Sequence, residues 1–197
     1  MRIKKLQLTN FGSYKGGENE FDFETNTGRD GYAIFGDIGR GKTSMVNGIL
    51  WCLYGHVSMR DIVAEKSRQR AIVDAKQQDK EGGKQGEVPP LLNTYAFRDG
   101  VYVASVRIVF DHTGKDGKAR EYSLFRVAEP NKKNPKNDSH MNLTATLTVD
   151  GKGVAAGRIQ EKINEVIHED ISKFFFVEGD VIDSYAHLLF ARDVDHS

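Results

Sequence analysis

Only one cysteine, Cys52, occurs in 197 residues, which excludes an internal disulfide framework and any site built from several thiolates. Net charge is also missing. The 28 basic residues balance 28 acidic ones, so the chain is no polycation, and contact with DNA would have to use a local patch or another part of the protein. No apolar run reaches membrane-spanning length, and the opening MRIKKLQLTNFG alternates too quickly between polar and apolar residues for a secretory leader. Internal repeats are absent, which excludes solenoids and propellers. The six histidines show no metal-ligand spacing, and His168, beside Glu169 and Asp170, reads as a helix-end charge. What is present, 39% hydrophobic and 28% charged residues in 22.1 kDa, suits one globular domain in the cytoplasm with no membrane partner.

Hydrophobic periodicity divides the chain into elements. Ile3 to Leu8 alternates as a strand, and Glu18 to Phe23 as a second, half-exposed one. Gly31 to Phe35 (GYAIF) is a short apolar run with flanking glycines, the pattern of a fully buried central strand. From Lys42 the period becomes helical through Met45, Val46, Ile49, Leu50 and Leu53, with Gly55 placed to stop the helix. Trp51 and Cys52 within it read as core. A charged helix is expected over 61–80 and a polar loop over 76–90. Val101 to Phe110, Glu121 to Val127 and Leu143 to Val149 carry alternating or β-branched residues between turn signals and predict an antiparallel meander. Lys132, Lys133 and Lys136 read as a solvated basic loop between two of these strands. Ile159, Ile163, Val166 and Ile167 mark an amphipathic helix, before an apolar strand at 174–177 and a last helical stretch at 181–191.

The strongest motif is Gly36-Asp37-Ile38-Gly39-Arg40-Gly41-Lys42-Thr43, a complete G-x-x-x-x-G-K-[ST] followed by Ser44. Glycines let the backbone wrap a phosphate with its N–H groups turned inward, and the following helix offers its positive end. Lys42 is placed for the β- and γ-phosphates, and the Thr43 hydroxyl for Mg²⁺. Hydrolysis needs a further carboxylate. Asp111 closes the apolar strand Arg107 to Phe110 and begins Asp111-His112-Thr113-Gly114, a D-x-x-G of the type that senses a γ-phosphate in GTPases. A guanine-selecting N-K-x-D is missing, since Asn131-Lys132-Lys133-Asn134 lacks the aspartate. The simpler reading makes Asp111 the start of a hairpin turn tipped by Asp116-Gly117. Glu81-Gly82-Gly83-Lys84-Gln85 lacks the leucine and serine of the L-S-G-G-Q signature and reads as solvated loop.

Three stretches together resemble the N-terminal half of the ATPase head of the SMC-like DNA-processing proteins, a group including SbcC, RecN, RecF and DndD. Ile3 to Tyr14 is similar to the group's "I-x-x-L-x-L-x-N-F" strand and turn, and Ile49 to Gly55 to its P-loop helix closing in "LYG". Phe174-Phe175-Phe176-Val177-Glu178-Gly179-Asp180 lies where the group has its Q-loop, and looks most like DndD. Two positions depart from the group. Ile38 stands where an Asn is usual, and Glu178 replaces the Q-loop glutamine.

The resemblance implies a P-loop NTPase lobe of the ABC/SMC-head type: an α/β domain with a central mixed sheet and an antiparallel β annex. It divides residues 1–197 into strands, P-loop and helix (1–56), a variable insertion (57–100), a β meander (101–150), and a helix, Q-loop-like strand and coiled-coil start (151–197). It implies ATP and Mg²⁺ as cofactors, Ser13 as a nucleotide contact, and Thr43 and Glu178 at the metal. Arg60 falls where some relatives carry a sensing arginine, but its simpler reading is a solvated helix-start residue. The signature motif and Walker B carboxylates of the group lie in a second half, so no catalytic residue is expected in this chain. The implied partners are that C-terminal half, a second head as homodimer, DNA through the assembled complex, and other subunits of a processing or restriction system. A GTPase-like switch using Asp111 and Gly114, and a non-catalytic assembly module, are the alternatives.

Overall fold

The computed structural model describes residues 1–24, 32–37, 39–55, 91–133, 135 and 140–169. Among them one six-stranded sheet runs β2-β1-β3-β4-β5-β6, every pair antiparallel. Its strands are β1 (Arg2–Thr9), β2 (Asn19–Asp22), β3 (Ala104–Thr113), β4 (Ala119–Pro130), β5 (Met141–Val149) and β6 (Lys152–Gly153). Helix α1 (Lys42–Tyr54) crosses one face, joined by α3 (Ile159–Val166), while the short α2 (Thr94–Arg98) precedes β3. The expected meander is β3-β4-β5. It is continuous with the opening strands, because β1 pairs along β3 from Arg2↔Asp111 to Thr9↔Ser105.

Period-2 alternation decides which face is buried. In β3, Ala104, Val106, Ile108 and Phe110 are buried, and in β4 Tyr122, Leu124, Arg126 and Ala128 lie on the same side. Leu6 and Leu8 from β1 and Leu147 from β5 complete the floor on which α1 sets Met45, Ile49, Cys52 and Leu53. Phe110 and Tyr122, directly paired, stack with centroids 5.0 Å apart. Trp51 and Cys52 are fully buried, as their place in the helix predicts. Helix and sheet approach closely because position 48 is glycine; a Cβ there would lie 2.5 Å from Leu8 Cδ2.

Cys52 is tied to the sheet. Its thiol lies 3.3 Å from the Val106 carbonyl and 3.6 Å from that of Leu124, and burial pushes its pKa up to about 12. Thiolate attack requires the deprotonated sulfur. A thiol reagent at neutral pH is therefore expected to leave the folded protein unmodified and to label Cys52 stoichiometrically in denaturant, as mass spectrometry will read.

Two expectations are corrected. The run 32–35 is not a buried central strand: Tyr32 is 44%, Ile34 48% and Phe35 92% exposed, and the described residues offer it no paired strand. The described sheet is consequently antiparallel where a mixed one was expected. Asp111, in turn, does not open the β3–β4 turn. It sits inside β3 opposite Glu121, and the reversal comes at 114–118, closed by Gly114 N–H to the Lys118 carbonyl (3.0 Å). The tip at Asp116-Gly117 is as expected, with Gly117 at φ +74° and Asp116 ion-paired to Arg120. The expected elements at 61–80, 76–90, 174–177 and 181–191, along with Ile38, Arg60, Lys136 and Glu178, lie outside the described residues.

Candidate phosphate-binding site

The loop from Gly36 to Gly41 enters α1 through two left-handed glycines, Gly39 at φ +80° and Gly41 at φ +99°. L-residues with a side chain rarely hold this region, so the glycines are what lets the loop curl. Arg40 N–H donates to the Asp37 carbonyl (3.3 Å), closing a turn between them. The Asp37 and Arg40 side chains point into solvent, only loosely paired at 4.0 Å. Gly41 is the N-cap of α1, and its carbonyl accepts the first helical bond from Met45 N–H (2.9 Å). No side chain caps this end, and no acidic residue lies in the first turn. Among the described residues the positive helix end has no side-chain anion in its first turn, which suits a phosphate site.

Lys42 is exposed, and its ammonium folds back over the loop, donating to the carbonyls of Gly36 and Asp37, the latter at 3.0 Å. An ammonium and a helix N-terminus meet here, with Thr43 next in the chain, and these donor types suit a polyphosphate with its magnesium ion. Among the described residues no three His, Cys, Asp or Glu side chains come together to hold a metal. Ser44, by contrast, is buried, and its hydroxyl faces the turn after β1.

That turn explains the Asn10-Phe11-Gly12-Ser13-Tyr14 segment. Asn10 adopts φ +49°, its Oδ1 accepts from Gly16 N–H (2.8 Å), and its Nδ2 donates to the Val103 carbonyl (3.1 Å). Phe11 packs on Trp51 with centroids 5.3 Å apart. Gly12 lies so close to α1 that a Cβ would meet Ser44 at 2.9 Å. Asn93 caps α2 through Oδ1 and donates from Nδ2 to the Gly12 carbonyl (2.9 Å), tying 91–93 to the same turn. Ser13 contacts Ser44 twice, N–H to Oγ at 3.3 Å and hydroxyl to hydroxyl at 3.0 Å. Tyr14 Oη donates to the Gly41 carbonyl (3.1 Å). Sequence reasoning singled out Ser13 but passed over Tyr14, whose available signal was the five-residue run itself.

Asp111 is not part of this site. It pairs with Arg2 at one end of β1, whereas Ser13 touches α1 beyond the other end, and roughly 23 Å of strand lies between Arg2 and Thr9. A bulge between Ile3 and Lys5 brings Lys4 toward Asp111, Glu24 and Glu121, at 3.8, 2.9 and 2.7 Å. The hydrogen bonds that the Lys4 ammonium donates to Glu121 and Glu24 hold its pKa above its ordinary value. Asp111 thus serves an ion-pair cluster far from the phosphate loop, which removes the residue on which a GTPase-like switch depended.

A family model described as an AAA domain (AAA_23) matches residues 5–183. The chain belongs to the AAA domain family. The expected class, an α/β P-loop NTPase, is thereby shown. No curated protein matches the chain. One solved structure, from work on ATP-driven dimerization and DNA-stimulated activation of SMC ATPases, is similar at 18% identity over 98% of this chain and 99% of that chain, with a TM-score of 0.47. In this AAA domain no described helix is long and apolar enough to cross a membrane.

Proposed function

We propose that this AAA domain is the ATP-binding N-terminal lobe of an SMC-like ATPase head acting in DNA processing, repair or DNA-modification-based phage defence, of a type close to DndD. In this reading ATP is held by Lys42, Thr43 and the loop N–H groups, with Mg²⁺ at Thr43 and at Glu178. The bound nucleotide clamps two heads together. Hydrolysis belongs to the assembled head, because the Walker B carboxylates and signature motif come from a C-terminal half.

The observation that carries the reading is the segment leading into the phosphate loop. Tyr32, Ile34 and Phe35 form an apolar stretch ending at Gly36, with Phe35 92% exposed. An exposed apolar stretch beside a ligand site marks an interaction surface, and a complementary lobe would cover it. The Ile3–Tyr14 and P-loop helix resemblances support the same assignment, and the triple phenylalanine before Glu178 supports its DndD-like form.

Competition between ATP and GTP for the purified chain, with Mg²⁺, tests the proposal. The expected result is preference for ATP without turnover. Preference for GTP, or steady hydrolysis by the chain alone, contradicts it.

A further inference from the structure

We propose that Tyr14 is a positioning residue of the phosphate loop, its hydroxyl holding the Gly41–Lys42 peptide in the orientation that receives phosphate. The inference rests on the ATP-binding reading of that loop. The Gly41 carbonyl accepts two bonds, from Met45 N–H (2.9 Å) within α1 and from Tyr14 Oη (3.1 Å) outside it. A trans peptide is planar, with its N–H directed opposite its carbonyl. Fixing the Gly41 carbonyl on the Tyr14 side therefore directs the Lys42 N–H away from Tyr14. A glycine needs this external hold, because its backbone is the least restricted of any residue.

The surroundings are built for the contact. A Cβ at Gly41 would lie 3.1 Å from Tyr14 Cζ and Oη and 3.3 Å from Ser13 Cβ, so the ring packs flush against the bare glycine. The ring is itself held edge-on by Phe21 (5.7 Å, 80°), and the Tyr14 N–H donates to the Phe11 carbonyl (2.9 Å). Ser13 binds Ser44 at the same time. The dipeptide Ser13-Tyr14 thus brackets Lys42 and Thr43, gripping the residue before and the residue after. Burial raises the Tyr14 pKa above its ordinary value, so the phenol keeps its proton as a donor throughout the neutral range.

The test compares wild type with Tyr14→Phe, which keeps the ring and removes the hydroxyl. In the free protein, amide exchange at Met45 is expected to quicken roughly 2- to 12-fold, the worth of one net hydrogen bond. The Gly41 carbonyl ¹³C resonance moves upfield, and exchange in β3 and β4 is unchanged. Mg-ATP and inorganic tripolyphosphate weaken by a similar factor, and adenosine does not. Phe21→Leu, which loosens the ring but leaves the hydroxyl, serves as the packing control and is expected to affect Met45 less. Unaltered exchange and carbonyl shift at Met45 and Gly41 overturn the proposal. So does a rise spread over β3 and β4, or an equal loss of adenosine affinity, which marks Tyr14 as a base contact. If wild type binds no polyphosphate yet the exchange effect appears, the ATP-binding reading fails while the hold of Tyr14 on Gly41 stands.

Discussion

Lys42→Ala is expected to lower Mg-ATP affinity about 30- to 150-fold while changing folding stability by less than about 0.5 kcal/mol. A hydrogen bond to a charged group contributes about 1.5–3 kcal/mol, and a contribution of about 2–3 kcal/mol corresponds to that range of affinity. The lysine's present bonds, to the carbonyls of Gly36 and Asp37, reduce the net gain because they must be broken when the ammonium turns to phosphate. They are also solvent-exposed, and their loss barely affects the fold. Calorimetric titration gives the first number and denaturant unfolding the second. Raised salt should narrow the difference between wild type and variant, since the lysine–phosphate attraction is partly screened. An affinity loss accompanied by an equal loss of stability would place Lys42 in the scaffold instead of the site.

The parts of the fold legible in the sequence are those whose cause is local. Gly55 ends α1 in the left-handed conformation at φ +81°, its N–H on the Trp51 carbonyl, because a glycine after the last helical residue needs no distant partner to do so. The meander strands follow from alternation and turn residues, and the phosphate loop from its glycines. What escaped depends on neighbours far along the chain. The run 32–35 has the composition of a buried strand, yet burial requires strands on either side, and composition carries no information about which segment supplies them. The position of Asp111 inside β3 follows from its register with Glu121 and from Lys4, which lies more than a hundred residues earlier. Tyr14 meets Gly41 only because β1 and α1 are brought together by Leu8 and Gly48. Resemblance singled out Ser13, and the polar atoms it reaches here belong to Ser44.

Arg126 is the residue least expected from pattern and the one with the largest expected effect on stability. It occupies a core-facing position of β4 between Leu124 and Ala128, with 9% of its surface exposed. Its guanidinium donates from Nε to the Cys52 carbonyl (3.0 Å) and from Nη2 to the Leu53 carbonyl (3.4 Å). These belong to the last turn of α1, whose carbonyls lack partners within the helix and whose dipole favours a cation. Burial lowers the pKa of Arg126, but the guanidinium stays charged near neutral pH. Arg126→Ala leaves two carbonyls without donors and opens a cavity between helix and sheet, while relieving the cost of burying a charge. The expected net loss is about 3 kcal/mol. Arg126→Met retains most of the volume but no donor and should lose about 2 kcal/mol; the difference isolates packing from capping. Urea unfolding of the three proteins decides the matter, and a methionine variant as stable as wild type would reject the capping role. Gly55 supports that role independently, since a Cβ there would stand 2.8 Å from Arg126 Nη1. The arginine therefore constrains the C-terminal end of the helix whose other end carries Lys42 and Thr43, so its replacement is expected to weaken Mg-ATP binding only in proportion to the helix fraction unfolded.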